Sequence, residues 1–268
     1  MIPRRIHQIW FQGSDQVPAK YHRFQQSWLQ HHPSWQYIVW DQNKIEAFLE
    51  STASIKSLYD RLPHMIQKID LAKYVILQRY GGVYVDMDME ALKPLDTLID
   101  SYPDITLFVS EVEIGCSDNR LCIPMTIVSK GKYWTGPYYN NAVFAVIPNH
   151  PIWDSVFKDI ELHADPKGTH HDFYIQDSTG PMMITRVIRG GKYPNIHTCP
   201  PYYFEPCNKF NLANCDTSKS YAVHYYENSW MSPFLKSLVY IYFHPEFLVW
   251  ALMTLLVLWI LFRLFKRQ

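Results

Sequence analysis

The chain carries no excess of either charge, with 25 Lys and Arg against 25 Asp and Glu. It lacks the basic footprint that captures a polyanion, so no nucleic-acid partner is expected. Glycine is scarce, at 10 of 268 residues, and no repeat or low-complexity tract is apparent. Solenoids and long flexible linkers are excluded on that basis. No Cys-x-x-Cys pair occurs, which argues against a structural zinc site. No Ser-His-Asp pattern and no phosphate-cradling P-loop is present. The chain also has no Asn-x-Ser/Thr acceptor, and no apolar stretch precedes the opening IPRRIHQIW, so no signal peptide is expected. The five cysteines form two sequence groups, Cys116 with Cys122 and Cys199 with Cys207 and Cys215. Disulfides follow if the domain lies in an oxidising compartment.

What is present is apolar and aromatic, and 268 residues suffice for one α/β domain with a full core. Ile6 to Trp10 reads as a first buried strand. Pro18 to His31 has helical spacing, and Trp35 to Trp40 reads as a second strand. Asp41 caps a short helix through Leu49. Strand, helix, strand, helix is the pattern of a nucleotide-binding α/β half. Ile66 to Tyr80 is a strong helix, ended by Gly81-Gly82 through positive φ. Val83 to Val85 and Ile105 to Ser110 are strands. Residues 111–136 read as an irregular loop, and Asn140 to Ile147 as a strand. Pro151 to His163 is helical, and DSTGP at Asp177 opens another helix. Tyr193 to Pro206 is aromatic and proline-rich, with no element assigned. Tyr221 to Trp230 reads as a last strand and turn.

The stretch DLAKYVILQRYGGVYVDMDME, Asp70 to Glu90, carries the chemistry. A helix, a glycine turn and a buried strand deliver Asp86 and Asp88. Carboxylates at i and i+2 can converge on a hard cation, and such a cation can neutralise a diphosphate leaving group. The plain alternative is a polar turn after an edge strand. Asp70 and Lys73 lie one helical turn apart, at the donor or as a surface ion pair. His224 can ligate a metal or be structural, with Glu227 and Ser229 as alternative ligands. The indole N–H of Trp230 can donate to a phosphate oxygen. Asn140, Asn141, Asp177 and Gly180 are weaker candidates, Asp177 equally as a helix N-cap. His7 and Trp10 support a base pocket or merely fill the first strand. The pairs His31-His32 and His170-His171 read as loop or surface histidines, since adjacent residues share no face.

The whole phrase around Asp86-Met87-Asp88 resembles the DxD core of glycosyltransferase family 32, which includes initiation-specific mannosyltransferase and the catalytic subunits of mannosyl inositol phosphorylceramide synthase. IPRRIHQIW, HHPSWQYIVWDQ, NNAVFAVIPNHP, DSTGP and HYYENSW resemble further family segments in the same order. The resemblance implies an α/β GT-A-type, Rossmann-like fold with a mixed sheet over residues 1–233. It implies a retaining, metal-dependent hexosyl transfer, with Mn²⁺ or Mg²⁺ as cofactor and a nucleotide sugar as donor. Asp86, Asp88 and Asp70 are the implied catalytic residues. Asp70, Lys73, Tyr84, Asp86, Asn141, Gly180 and Trp230 are implied at the donor, and Asp88, His224 and Ser229 at the metal. Lys73 stands where the family has Arg, which keeps the charge and loses the bidentate fork. GDP-mannose with an inositol phosphoceramide-like lipid is the implied pair. UDP-galactose with a glycolipid or glycan acceptor is the alternative, and a non-catalytic sugar-nucleotide-binding regulatory subunit is the reading of another class.

The apolar tail, 234–268, reads as a membrane anchor in the Golgi or another endomembrane. Phe247 to Phe262 is at the short limit of a bilayer span, and Arg263, Lys266 and Arg267 can snorkel. A helix pair within one leaflet and a buried soluble helix are the other readings. The basic end favours a cytoplasmic C-terminus, while the missing signal peptide pulls the other way.

Overall fold

The computed structural model describes residues 1–112, 137–165, 171–207 and 215–227, with isolated positions beyond 230. The chain divides into two units, Met1–Glu227 and Asn228–Gln268. The first is an α/β fold built on a six-stranded mixed sheet of order β2-β1-β3-β6-β5-β7. Its strands are β1 (Arg5–Ile9), β2 (Gln36–Trp40), β3 (Gly82–Val85), β5 (Leu107–Val112), β6 (Tyr138–Val146) and β7 (Ile196–Cys199). β1 pairs parallel with both β2 and β3, while β6 runs antiparallel to β3 and β5. Two short strands, β4 (Met89–Ala91) and β8 (Ala222–His224), form a separate antiparallel ladder.

The helices are α1 (Ala19–His31), α2 (Gln42–Leu49), α3 (Ala53–Arg61), α4 (Met65–Tyr80), α5 (Asp96–Ser101), α6 (Ile152–His163), α7 (His171–Ser178), α8 (Pro181–Gly190) and α9 (Pro201–Phe204). Asp41 caps α2 by accepting from the Lys44 amide at 2.8 Å, as its position before an apolar-periodic run requires.

Strand alternation sorts the central sheet into two cores. Tyr84, Phe144, Leu107 and Val109 face a cluster with α2, α3, α4, α6 and α8. Val83, Val85, Val143, Ala145 and Phe108 face the other side with Trp28, Leu95 and Phe204. β3 is buried on both faces, which its GVYV sequence suits. The Trp28 indole donates to the Met89 carbonyl at 2.8 Å and so anchors β4 from α1.

The turn into β3 needs both glycines. Gly81 has φ 57° and ψ −159°, and Gly82 has φ 95°. A Cβ on Gly81 would lie 2.6 Å from the Pro148 nitrogen and 2.8 Å from the Val146 oxygen. His7 explains what holds this turn. Its Nδ1 accepts from the Trp40 indole at 3.1 Å, so its Nε2–H donates to the Gly81 oxygen at 3.0 Å. Burial pushes the His7 imidazole down to about 4, so it stays neutral. His7 therefore supports the strand turn.

Several sequence expectations need correction. Tyr193 to Pro206 contains β7 and α9, and α3, α5 and α7 were not anticipated. Glu111 and Val112 extend β5, and the rest of the 111–136 loop, with Cys116 and Cys122, lies outside the described residues. His32 is not a surface residue: it is 2% exposed, its Nδ1 donates to the Trp28 oxygen and its Nε2 accepts from the Leu95 amide at 2.9 Å. His171 opens α7 and is exposed, as a surface histidine should be, with its ring edge-on to His64. Cys207 and Cys215 are disulfide-bonded, while Cys199 is buried and reduced.

Of the second unit, Trp250, Met253, Leu258 and Trp259 are exposed. Among the described residues no helix is long and apolar enough to cross a membrane. Most of the expected 234–268 anchor lies outside the described residues.

Gly81→Ala is expected to destabilise the first unit by about 1–3 kcal/mol, because the backbone cannot relieve the contact without moving β3. A chemical-denaturation midpoint equal to wild type would show that the turn tolerates a side chain.

Candidate active site

The site forms where three segments meet at the carboxyl end of β3. β6 runs antiparallel to β3, with Val85 opposite Val143, so the start of β6 lies beside the aspartates. The Asp86 amide donates to the Ala142 oxygen at 2.9 Å, and the Gln8 side chain donates to the Asp86 carbonyl at 3.2 Å. The β4–β8 ladder brings the third segment. It pairs Met89 with His224, and the Tyr225 amide donates to the Asp88 carbonyl at 3.0 Å. Ligand atoms of Asp86, Asp88 and His224 come within 4.8 Å of one another. Two carboxylate oxygens and one imidazole nitrogen are a donor set that fits Mn²⁺, and the carboxylates also fit Mg²⁺.

Each of these three side chains is held from behind. Asp86 Oδ1 accepts from the Tyr84 hydroxyl at 2.8 Å and lies 3.5 Å from the Lys73 ammonium. Asp88 Oδ2 accepts from the Glu227 amide at 2.8 Å, and its Oδ1 lies 3.4 Å from His224 Nε2. The Glu227 carboxylate itself turns away to pair with Lys20 at 2.7 Å. On the other side of the imidazole, Nδ1 faces the Glu205 carboxylate at 3.1 and 3.2 Å. Asn140 and Tyr226 also donate to Glu205.

Burial opposes charge on His224, yet Glu205 and Asp88 outweigh it and hold the imidazole well above its usual range. Burial likewise pushes Asp88 upward, but the His224 charge and the hydrogen bonds prevail, so its carboxyl sits below the usual value. For Asp86 burial prevails over Lys73, and its carboxyl is raised.

Lys73 is not a surface partner of Asp70. It is 2% exposed, with its ammonium 2.9 Å from Asp70 Oδ1 and 3.1 Å from the Asn141 carbonyl, and it lies 4.8 Å from the Tyr84 ring centroid. Burial opposes its charge, and the two carboxylates outweigh that and keep it protonated. Asp70 is equally enclosed: Asn141 donates to its Oδ1 at 3.0 Å and Thr179 to its Oδ2 at 2.9 Å. Asp70, Lys73, Tyr84 and Asn141 thus come together beneath the aspartates as one hydrogen-bonded layer.

Gly180 is the N-cap of α8 with φ −88°, so it needs no left-handed conformation; a Cβ there would press on the Gln176 backbone at 3.0 Å. Asp177 is not a helix N-cap. It lies in the last turn of α7 and pairs with Arg186. Trp10 donates to the Gln16 carbonyl and packs on Tyr21, beside Met87 and Phe24. Ser229 and Trp230 lie outside the described residues. Sequence reading missed Glu205, because it sits in the aromatic stretch to which no element was assigned. An acidic residue flanked by Tyr-Tyr-Phe and Pro-Cys was the available signal.

The sequence profile described as "Glycosyltransferase sugar-binding region containing DXD motif" matches residues 18–104, which span the aspartates and α4. The match supports a DXD-containing glycosyltransferase similar to those of family 32. An uncharacterized glycosyltransferase of Acanthamoeba polyphaga mimivirus is 28% identical over 94% of this chain and 92% of its own length. Inositol phosphoceramide mannosyltransferase 1 of Schizosaccharomyces pombe is 38% identical over 56% of this chain and 40% of its own. The initiation-specific alpha-1,6-mannosyltransferase of Candida albicans is 32% identical over 37% and 28%. The chain thus matches less than half the length of these two fungal relatives. Among solved structures, the PaToxG glycosyltransferase superposes with a TM-score of 0.49 at 14% identity, over 70% of this chain and 69% of its own. The mixed α/β sheet with DXD at the end of a central strand is a GT-A-like arrangement.

Two outcomes are expected of this glycosyltransferase. Lys73→Arg inserts a larger, planar cation into an enclosed slot, and overpacking of that kind costs about 1–3 kcal/mol. Thermal unfolding should fall accordingly; an unchanged midpoint would mean that the slot opens. To be held by His224, Mn²⁺ would have to displace a proton from the imidazole, which Glu205 and Asp88 hold above its usual range. Affinity should therefore rise with pH, by about tenfold per unit while His224 is the group that changes. Calorimetric titrations in buffers of different ionisation enthalpy would reveal the released proton, and pH-independent affinity would remove His224 from the metal.

Proposed function

We propose that this glycosyltransferase moves a hexose from a nucleotide-diphosphate sugar to an acceptor hydroxyl, and specifically mannose from GDP-mannose to an inositol phosphoceramide-like lipid head group. The observation that carries the reading is the convergence of Asp86, Asp88 and His224 above the buried Asp70–Lys73 pair. Four carboxylates, Asp70, Asp86, Asp88 and Glu205, gather with one lysine and one imidazole. That excess of negative charge suits a divalent cation. The sugar and acceptor are supported by relatives named as inositol phosphoceramide mannosyltransferases.

When bound, Mn²⁺ or Mg²⁺ held by Asp86, Asp88 and His224 would neutralise the diphosphate as it leaves. The chain's own groups set the rest of the geometry. Asp86 Oδ1 is engaged from below by Tyr84 and Lys73, which leaves its Oδ2 for the donor ribose and sugar hydroxyls that the family resemblance assigns to this residue. Asp88 is fixed by the Glu227 amide, and His224 by Glu205. Transfer with retention of anomeric configuration accords with the family. Residues 234–268 take the role of an endomembrane anchor in this reading, which suits a lipid acceptor.

The test uses the full chain with GDP-mannose, UDP-galactose, UDP-glucose and UDP-N-acetylglucosamine, each with Mn²⁺ or with chelator, and reads the released nucleoside diphosphate. Chelator-sensitive release of GDP is expected, enhanced by the lipid acceptor. Asp88→Ala should lower turnover by about a hundredfold or more, the scale of losing a charge contact in the transition state, with unfolding unchanged. Turnover of UDP-galactose instead would replace the sugar assignment. Mn²⁺ binding with no turnover of any donor would support a non-catalytic subunit.

A further inference from the structure

Glu205 is a buried carboxylate that the DXD pattern does not include. Its side chain is 1% accessible, and burial of an anion that deep is costly unless the charge is compensated. Among the described residues no lysine or arginine pairs with it. Its partners are His224 Nδ1, at 3.2 Å from Oε1 and 3.1 Å from Oε2, the Asn140 amide and the Tyr226 hydroxyl. The Tyr226 ring stacks on the His224 imidazole with centroids 4.2 Å apart, so the ring cannot swivel freely. Asn140 in turn accepts from the Asn141 amide at 2.7 Å, which ties its side chain to β6. The segment carrying Glu205 is itself fastened two residues on, at the Cys207–Cys215 disulfide.

The consequence concerns the two ring nitrogens. A carboxylate can only accept, so the hydrogen between Glu205 and His224 resides on Nδ1. Nε2 is then the nitrogen left to offer a lone pair, and it is Nε2 that faces Asp88 Oδ1. We propose that Glu205 is a positioning residue of the metal centre, which holds Nδ1–H of His224 and thereby presents Nε2 to a divalent cation between Asp86 and Asp88. The inference rests on the metal-binding reading of those three residues. A carboxylate behind a metal-bound imidazole fixes its tautomer and orientation and raises its basicity, and losing such a partner weakens metal binding 10–100-fold.

The experiment is a Mn²⁺ titration of the full chain without any donor, followed by the signal of free Mn²⁺ in electron paramagnetic resonance. Glu205→Gln is expected to weaken binding about 10–100-fold. In a His224→Ala background the same substitution should change affinity by less than about twofold, because Glu205 acts through His224 alone. Wild-type affinity in Glu205→Gln, or an equal loss in both backgrounds, would overturn the proposal. Affinity that is also indifferent to Asp88→Ala would instead bring down the metal reading on which it rests. Nitrogen NMR of the unsubstituted, histidine-labelled protein loaded with Zn²⁺ covers the case in which Glu205→Gln does not fold. The resonance lost in His224→Ala should show a protonated Nδ1 and a metallated Nε2; a metallated Nδ1 overturns the assignment.

Discussion

Beneath the open end of the sheet, the ammonium of Lys73 lies between the carboxylates of Asp70 and Asp86, 2.9 and 3.5 Å away. Ions taken that far from water are tolerated only when their remaining bonding capacity is met. Here Asn141, Thr179 and Tyr84 meet it. The network joins α4, β3, the start of β6 and the turn between α7 and α8 at one point. None of these elements can shift without leaving a buried charge unmatched, which is far costlier than a lost apolar contact. Asp86 is the member that reaches the surface, so the residual negative charge of the network is presented on the open side.

The half that carries Asp88 and His224 is organised differently. Asp88 and His224 are brought together mainly by backbone, through the β4–β8 ladder and the amides of Tyr225 and Glu227. Backbone hydrogen bonds hold position without regard to charge, so this half can accept a change in charge on ion binding while the buried network stays fixed. Met87, the residue between the aspartates, packs with Val17, Tyr21 and Phe24, which turns the two carboxylates to the same side. Preorganisation of this kind leaves little reorganisation for the moment of transfer.

The framework was largely legible in the sequence. Asp41 before an apolar-periodic run fixed α2, paired glycines ended α4, and β-branched residues flanking Tyr84 marked a strand buried on both faces. These are local signals, and local physics generated them. The corrections share one cause. His32, Asp177 and Glu205 are polar residues whose partners, Leu95, Arg186 and His224, lie from 9 to 63 residues away, and no local pattern reports such pairings. A polar residue in a loop and one locked in a core look alike until the chain has closed around them.

The sequence by itself determined the chemistry available: two aspartates one residue apart at the end of a buried strand, an aspartate and a lysine on one helical face, and a histidine near the end of the domain. Residue identity and short-range spacing are enough for that. Only the tertiary structure decided which groups face the open site and which lie beneath it. It placed Asp70, Lys73 and Asn141 in a closed layer, set His224 opposite Met89, and put a carboxylate behind the imidazole. Orientation and burial depend on long-range strand pairing, and those contacts fix the surroundings that determine what each charge can do.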